Sequence, residues 1–190
     1  MELSRALYLG LLVLVVALRI VELGISRRNQ KRLAAQGAKK AADPRFPAMV
    51  VVHASVLAGA AAEVVLLDRP FYPLLGASMG AIFLGANGLR WWVIHTLGTH
   101  WNVQVMDSAR LGVVTTGPYR WVRHPNYSAV FAEMLALPLL HTAWITALVG
   151  GAAHAWVLRG RVAAEEKVLL AEPAYRAAMG AKPRFVPGLF

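Results

Sequence analysis

The sequence predicts an all-α integral membrane protein with about five transmembrane helices. Hydrophobic residues make up 57% of the 190 residues and charged residues only 16%, whereas a soluble domain usually carries about a quarter charged residues. The mean hydropathy is +0.50. Lys and Arg number 20 against 10 Asp and Glu, and basic residues in such an apolar chain are typical of cytoplasmic loops. We therefore expect a membrane protein with no nucleic-acid partner.

The first apolar run, residues 3–25, predicts a membrane-spanning helix. A cleaved signal peptide is the alternative, but the basic cluster follows the run and no A-x-A cleavage site is present, which favours retention. Arg19 and Glu22 lie three residues apart near its end and so share one helical face. Ionisable groups in this position usually lie at the interface or inside a helix bundle.

A basic stretch, residues 26–46, follows the first span. It carries seven basic residues against one acidic residue, Asp43: Arg27, Arg28, Lys31, Arg32, Lys39, Lys40 and Arg45. The positive-inside rule predicts a cytoplasmic loop and an external N-terminus. Apolar runs at 47–67 and 71–94, separated by the turn at 68–70, complete three spans of membrane length.

The C-terminal half is less regular. Residues 95–126 are polar and contain no membrane-length apolar run, which predicts a segment on the cytoplasmic face. Residues 127–159 form two shorter apolar segments broken around 138–141, which indicates either a tilted helical hairpin or a re-entrant pair. Residues 161–179 have helical spacing and predict a helix near the membrane surface, so the C-terminus is cytoplasmic.

Several classes of active site are excluded or disfavoured by the residues present. Cysteine is absent, which excludes disulfides, thiolate metal sites and a Cys nucleophile. The closest two of the six histidines, His95 and His100, have no standard zinc spacing, and we expect no metal site. There is no Walker A sequence and no G-x-G-x-x-G motif after a strand.

Two stretches are candidates for a functional site. Residues 117–127 combine aromatic rings, cations, an imidazole and two prolines, which restrict the backbone to an irregular loop. An interfacial belt of aromatic and arginine residues would have the same composition. In the second stretch, Arg161 and Glu165 lie at i and i+4, either as a surface ion pair or facing a polar ligand.

Together the two stretches resemble the C-terminal signature of the isoprenylcysteine carboxyl methyltransferase family, in its short bacterial branch. The similarity covers roughly residues 97–190. The matching motifs are Gly117-Pro118-Tyr119, Arg123-His124-Pro125-Asn126-Tyr127, Glu165-Glu166, Tyr175 and Arg184-Phe185-Val186-Pro187. The apolar runs predict a three-span N-terminal membrane region, 1–94, and the resemblance implies a cofactor-binding methyltransferase region, 95–190.

The resemblance also implies an S-adenosylmethionine-dependent O-methyltransferase with a cytoplasmic cofactor pocket. Arg161 and Glu165 would be the catalytic residues, where cofactor and acceptor meet. The implied cofactor contacts are Gln104, Leu111, Gly112, Val113, Val114, Tyr119, His124, Pro125, Asn126, Tyr127 and Glu165.

The acceptor is expected to be lipophilic and to enter from the bilayer, in a bacterial plasma membrane. Its reacting group is either a carboxylate, as in an isoprenylcysteine, or a hydroxyl, as in an alkyl-pyrone or alkyl-resorcinol. Methyl transfer to an anion requires alignment and desolvation more than acid–base chemistry. Arg19, His53 and Glu63 either line the acceptor's passage or are polar residues of helix packing.

Three other functions are compatible with parts of the sequence. An NADPH-dependent membrane reductase of the sterol-reductase type would use Arg120 and Arg123 for the 2′-phosphate. A phospholipid N-methyltransferase would share a similar cofactor architecture. A non-catalytic adaptor would bind anionic lipid headgroups through residues 26–46, and we expect this stretch to contact membrane lipids in any case.

Overall fold

The computed structural model describes residues 2–188, and its named secondary-structure elements are all helices, as the sequence predicts. Three short 3-10 helices lie between the third and fourth α-helices. The α-helices are α1 (Glu2–Ala35), α2 (Phe46–Leu66), α3 (Pro73–Leu97), α4 (Pro125–Leu139), α5 (Trp144–Leu169) and α6 (Pro173–Met179).

Proline marks several helix boundaries. Helices α2, α3, α4 and α6 each carry a proline in their first turn, where the missing N–H is not needed and the fixed φ suits a helix. Pro138 lies one residue before the end of α4, and the chain turns through Thr142 at φ 55°. The predicted break in the C-terminal apolar segment therefore joins two antiparallel helices, α4 and α5.

The predicted loop at 26–46 is wrong for its first ten residues, which continue α1 to Ala35. Ser26, Asn29 and Leu33 are buried along one face of this extension, and Asn29 Nδ2 donates to the carbonyls of Gly98 (3.0 Å) and Trp101 (2.8 Å). The basic residues occupy the rest of the surface. A loop was predicted because the density of charge concealed a helical spacing of buried positions.

The predicted helix at 161–179 is also corrected. Residues up to Leu169 are the last turns of α5, and α6 begins separately at Pro173. The backbone of Glu172 is extended, with ψ 119°, because the proline ring disfavours a helical conformation in the residue before it.

Large apolar side chains cover much of the outer surface. Leu3, Val13, Leu74, Leu84 and Leu148 are between 70% and 83% exposed. Apolar surface this extensive is unusual on a soluble monomer. By length and composition, α1 and α2 are each able to cross a membrane, and the outer faces of α3 and α5 add to the same apolar surface. These faces agree with an integral membrane protein.

Glu63 stabilises the bundle and lies outside the large cavity described below. Its carboxylate accepts hydrogen bonds from the backbone N–H of Ile145 (3.1 Å) and Thr146 (2.7 Å), and from Arg69 Nη2 (2.7 Å). The first N–H groups of a helix have no partner within it, and a carboxylate there also interacts favourably with the helix dipole. Glu63 on α2 therefore caps α5, so helix packing is the correct interpretation of this residue.

Replacing Glu63 with Ala is expected to lower the free energy of unfolding by about 1–3 kcal/mol, because the capped N–H groups and Arg69 lose their shared acceptor. Thermal unfolding in detergent, followed by circular dichroism, measures the loss. Glu2→Ala is the matched control, since the Glu2 side chain is 95% exposed. Equal stability of the two variants would contradict the capping role.

Candidate active site

A cavity of about 360 Å³ lies among the helices and reaches the connection between α3 and α4. Residues from α1 to α6 contribute to its wall, together with several residues between positions 100 and 124 of the connection. One end is rich in polar groups from the connection and the C-terminal turns of α5. The other end lies between α2, α4 and α5, where apolar side chains predominate.

Most of the residues predicted for the cofactor line this cavity. They are Gln104, Gly112, Val113, Val114, Tyr119, His124, Asn126, Tyr127 and Glu165, and Arg161 lies on the same wall. Leu111 and Pro125 do not lie on the wall as the structure describes it. Leu111 packs against Leu33 and Met106, and Pro125 is buried as the first residue of α4.

Residues 117–127 are more regular than the sequence predicts. Residues 117–120 form a 3-10 turn, and residues 125–127 are the first turn of α4. Tyr119 and His124 are buried against the cavity, while Trp121 is 43% exposed. One side of the stretch therefore forms part of the cavity wall. The other side exposes an aromatic ring, as the alternative of an interfacial aromatic belt would require.

Helix α5 presents one continuous face to the cavity. His154, Leu158, Arg161 and Glu165 line it at intervals of four, three and four residues, the spacing that keeps side chains on a single helical face.

Burial raises the pKa of Tyr119 well above its ordinary value, so its phenol stays protonated and able to donate.

Arg161 and Glu165 do not pair with each other. Arg161 donates to Asp43 Oδ2 (2.7 Å) and to the carbonyl of Val103 (2.9 Å), while Glu165 accepts a hydrogen bond from the hydroxyl of Tyr127. The i, i+4 spacing permits an ion pair but does not require one, and the tertiary partners are preferred here. Glu165 has no ion-pair partner within 4 Å among the described residues.

Glu166, next to Glu165, organises the C-terminal segment. It accepts from His124 Nε2 (3.1 Å) and Arg184 Nη2 (2.7 Å), with Arg123 Nη2 at 3.3 Å. It lies in the last turns of α5, beyond the predicted span that ends at Arg159. The hydrogen bond from His124, together with the guanidinium of Arg184, lowers the pKa of Glu166 to about 2 despite its burial.

The C-terminal segment is held across the start of α4 by its backbone. The N–H groups of Arg123 and His124 donate to the carbonyls of Pro183 (2.9 Å) and Arg184 (2.8 Å). Ser128 Oγ donates to the carbonyl of Phe185 at 3.0 Å. The segment is therefore fixed against Arg123 and His124, two residues whose side chains line the cavity.

Besides the two ring nitrogens of His154, five buried polar atoms of cavity-lining residues have no hydrogen-bond partner among the described residues. Buried polar groups in proteins are paired in more than about 90% of cases, so such a cluster calls for an explanation. The set comprises three N–H donors and two oxygen acceptors: Trp101 Nε1, Arg123 Nε and Arg161 Nε, with Asn102 Oδ1 and Asn126 Oδ1. All five residues line the cavity, which indicates a polar ligand that donates and accepts hydrogen bonds.

Trp101, Asn102 and Asp43 were not predicted as site residues. Trp101 and Asn102 lie in the irregular connection after α3, and Asp43 reaches Arg161 across 118 positions of the chain. Asp43 is the one acidic residue among seven basic residues in 26–46, and this was the sequence feature that could have identified it.

Comparisons with known proteins agree with the resemblance. Residues 79–171 match the model of the isoprenylcysteine carboxyl methyltransferase (ICMT) family. The chain is 31% identical to the uncharacterized protein YpbQ of Bacillus subtilis, over 84% of this chain and 94% of that protein. It is 27% identical to an uncharacterized protein of Haemophilus influenzae, over 82% and 90%.

A solved structure shares the fold. The eukaryotic intramembrane Ras methyltransferase ICMT, determined without a monobody, superposes with a TM-score of 0.57 and 21% identity. The match covers 76% of this chain but only 55% of that longer chain. With the family match and the bacterial relatives, these findings show that the chain belongs to the isoprenylcysteine carboxyl methyltransferase family of membrane methyltransferases.

Proposed function

We propose that this protein transfers a methyl group from S-adenosylmethionine to an oxygen, a carboxylate or hydroxyl, of a lipophilic acceptor that enters from the bilayer. The observation that carries the proposal is the set of unpartnered polar atoms on Trp101, Asn102, Arg123, Asn126 and Arg161, which all line one cavity. The cavity is polar at the end near the connection between α3 and α4 and apolar at the other, so it suits a polar cofactor and a lipid acceptor together.

The polar end fits the functional groups of S-adenosylmethionine. When bound, this cofactor supplies an electrophilic methyl group on a sulfonium. The N–H of Trp101 and the oxygens of Asn102 and Asn126 offer hydrogen bonds to its polar groups. Tyr127 and Tyr119 present aromatic rings on the same wall, and such rings attract a cation.

Glu165 is suited to the positive charge of the cofactor. Its carboxylate lines the cavity and has no ion-pair partner within 4 Å in the described part of the chain, and the Tyr127 hydroxyl fixes its position. An anionic group held in a site sheltered from water acts more strongly than one in solvent. We therefore assign Glu165 to cofactor binding and orientation.

The apolar end fits a hydrocarbon tail. Met49, Val50 and Leu57 of α2 line it, with Val130 of α4 and Leu158 of α5. In this arrangement the chain's own contribution is to align the acceptor oxygen with the methyl group and to exclude water, which are the main requirements of such a displacement.

The proposal includes a topology. Five helices, α1 to α5, would cross or enter the membrane, with residues 1–94 as the N-terminal membrane region and 95–190 as the cofactor-binding region. The basic residues of 26–46 would lie on the cytoplasmic side of a bacterial plasma membrane by the positive-inside rule. The polar end of the cavity would then face the cytoplasm.

The reductase alternative has less support from the side chains. An NADPH 2′-phosphate needs a free cation, but Arg123 lies 3.3 Å from Glu166. Arg120 is exposed and stacks on Trp121, 4.4 Å from the ring centroid. Neither guanidinium is an unpaired cation facing the cavity.

Equilibrium binding of labelled S-adenosylmethionine and of NADPH to the protein in detergent tests the proposal. We expect saturable binding of S-adenosylmethionine alone, weakened about tenfold by Trp101→Phe, which removes one N–H donor and keeps an aromatic ring. Trp144→Phe is the matched control, because Trp144 is 42% exposed at the start of α5. Saturable NADPH binding without S-adenosylmethionine binding would overturn the proposal.

A further inference from the structure

The linker between α1 and α2, residues 36–45, is fixed against the cavity wall by its backbone. Lys40 forms an antiparallel bridge with Met106 of the connection between α3 and α4. Backbone hydrogen bonds of 2.9 and 2.8 Å join the two segments on either side of this bridge. Because Met106 lines the cavity, the pairing places Asp43, three residues after Lys40, beside the candidate active site.

Asp43 is buried and uses both of its carboxylate oxygens. Its side chain is 2% exposed. Oδ2 accepts from Arg161 Nη1 at 2.7 Å, and Oδ1 accepts from the backbone N–H of Arg45 at 3.2 Å. The second hydrogen bond ties the carboxylate to its own linker. The carboxylate therefore holds the guanidinium of Arg161 from a fixed position.

Arg161 is anchored at two of its three nitrogens. Nη1 is bound by Asp43, and Nη2 donates to the carbonyl of Val103 at 2.9 Å. Nε is buried and has no partner among the described residues. A guanidinium is planar, so two anchored nitrogens fix the orientation of the whole group. Since Arg161 lines the cavity, this orientation leaves one donor for a ligand.

Glu165 is the other carboxylate within reach of Arg161. The two residues lie at i and i+4 on α5, the spacing of an ion pair on one helical face, and both line the cavity. A buried guanidinium without a counterion is costly. If Asp43 lost its charge, Arg161 would therefore turn to Glu165, and the Glu165 carboxylate would no longer be available to a cationic ligand.

We propose that Asp43 is a positioning residue, which holds Arg161 away from Glu165 and so keeps the Glu165 carboxylate free for the cationic cofactor. The inference rests on the proposed function and adds a residue of the N-terminal half to its machinery. Asp43 does not line the cavity in the described part of the chain. It therefore acts on the cofactor through Arg161.

The test measures equilibrium binding of S-[methyl-³H]adenosylmethionine to the full chain in detergent. Asn carries no charge and has one acceptor oxygen, so Asp43→Asn cannot keep both contacts of the carboxylate. We expect Asp43→Asn to bind the cofactor at least about tenfold more weakly, the effect of losing one charged hydrogen-bond acceptor.

The double variant Asp43→Asn/Arg161→Gln distinguishes positioning from a merely structural role. Without the guanidinium, Glu165 stays unpaired whatever residue stands at 43. The double variant should therefore bind the cofactor as tightly as Arg161→Gln alone, and more tightly than Asp43→Asn. A structural role for Asp43 predicts no such recovery, because a second substitution would not repair a disturbed linker.

Asp107→Asn is the matched control. The backbone N–H of Asp107 donates to the carbonyl of Lys39 at 2.8 Å, in the same paired segments, and Asp107 does not line the cavity in the described structure. This variant should bind the cofactor like the wild-type protein. Thermal unfolding of every variant, followed by circular dichroism, identifies any that do not fold.

The outcomes separate this inference from the proposed function. If the wild-type protein binds the cofactor and Asp43→Asn binds it equally well, or the double variant binds more weakly than Arg161→Gln, the inference is wrong and the proposed function stands. If Asp43→Asn does not fold, the comparison of the double variant with Arg161→Gln decides: equal binding supports the inference and weaker binding overturns it. If the wild-type protein does not bind the cofactor, the proposed function fails.

Discussion

Replacing Glu165 with Gln is expected to reduce methyl transfer by at least about 100-fold, the effect typical of removing a preorganised electrostatic group from an active site. The amide keeps the size of the side chain and can still accept from the Tyr127 hydroxyl, but it removes the cavity's unpaired negative charge. Initial rates with S-[methyl-³H]adenosylmethionine measure the loss. Binding of the cofactor should weaken in parallel, since Glu165 is assigned to its positive charge.

Glu172→Gln is the control for this prediction. Glu172 lies just before α6 and does not line the cavity in the described structure. Both variants should unfold at temperatures close to that of the wild-type protein. A folded Glu165→Gln enzyme with full activity would contradict the role assigned to Glu165.

Replacing the neighbouring Glu166 with Ala is expected to destabilise the protein strongly, whereas Glu165→Gln should leave its stability nearly unchanged. Glu166 is 7% exposed, and His124 and Arg123 beside it are buried to a similar degree. Removing one partner of a buried ionic cluster costs about 3–5 kcal/mol, because the remaining charges lose their counterion. We take the lower end of this range, since Arg184 is 49% exposed and its contribution is screened.

The stability that Glu166 contributes should depend on pH in a defined direction. Its pKa is lowered to about 2 in the folded protein, with the His124 hydrogen bond as the largest cause, from an ordinary value near 4.5. The contribution is therefore complete above pH of about 4.5 and declines as the pH falls toward 2. Denaturant unfolding of wild type and Glu166→Gln over this interval should show the two free energies converging at the acid end.

The positions of the helices were largely predictable from the sequence, because they follow from apolar length and from proline. The second span was predicted at 47–67 and α2 occupies Phe46–Leu66. The break at 138–141 matches the end of α4 at Leu139. The predictions failed where charge concealed a helix, as in the extension of α1 to Ala35, whose buried face is polar at Ser26 and Asn29.

The candidate site residues were easiest to predict from the sequence where they belong to a recognised motif. His124, Asn126 and Tyr127 were predicted because they belong to one signature, residues 123–127. Partnerships between distant elements leave no periodic trace, so the contact of Arg161 with Asp43 was not foreseen. For the same reason the contacts of Glu166 with His124 and Arg184 were not foreseen.

The most direct test of the proposed methyltransferase activity is transfer of a tritiated methyl group into lipid. Purified protein would be incubated with S-[methyl-³H]adenosylmethionine and a panel of prenylcysteines, alkyl-resorcinols, alkyl-pyrones and phospholipids, and the organic phase counted. We predict that tritium is incorporated into at least one oxygen-bearing acceptor. The variants at the exposed control residues should still incorporate it, and Glu165→Gln should not. Transfer only to phospholipid nitrogen, or no transfer together with saturable NADPH binding, would contradict it.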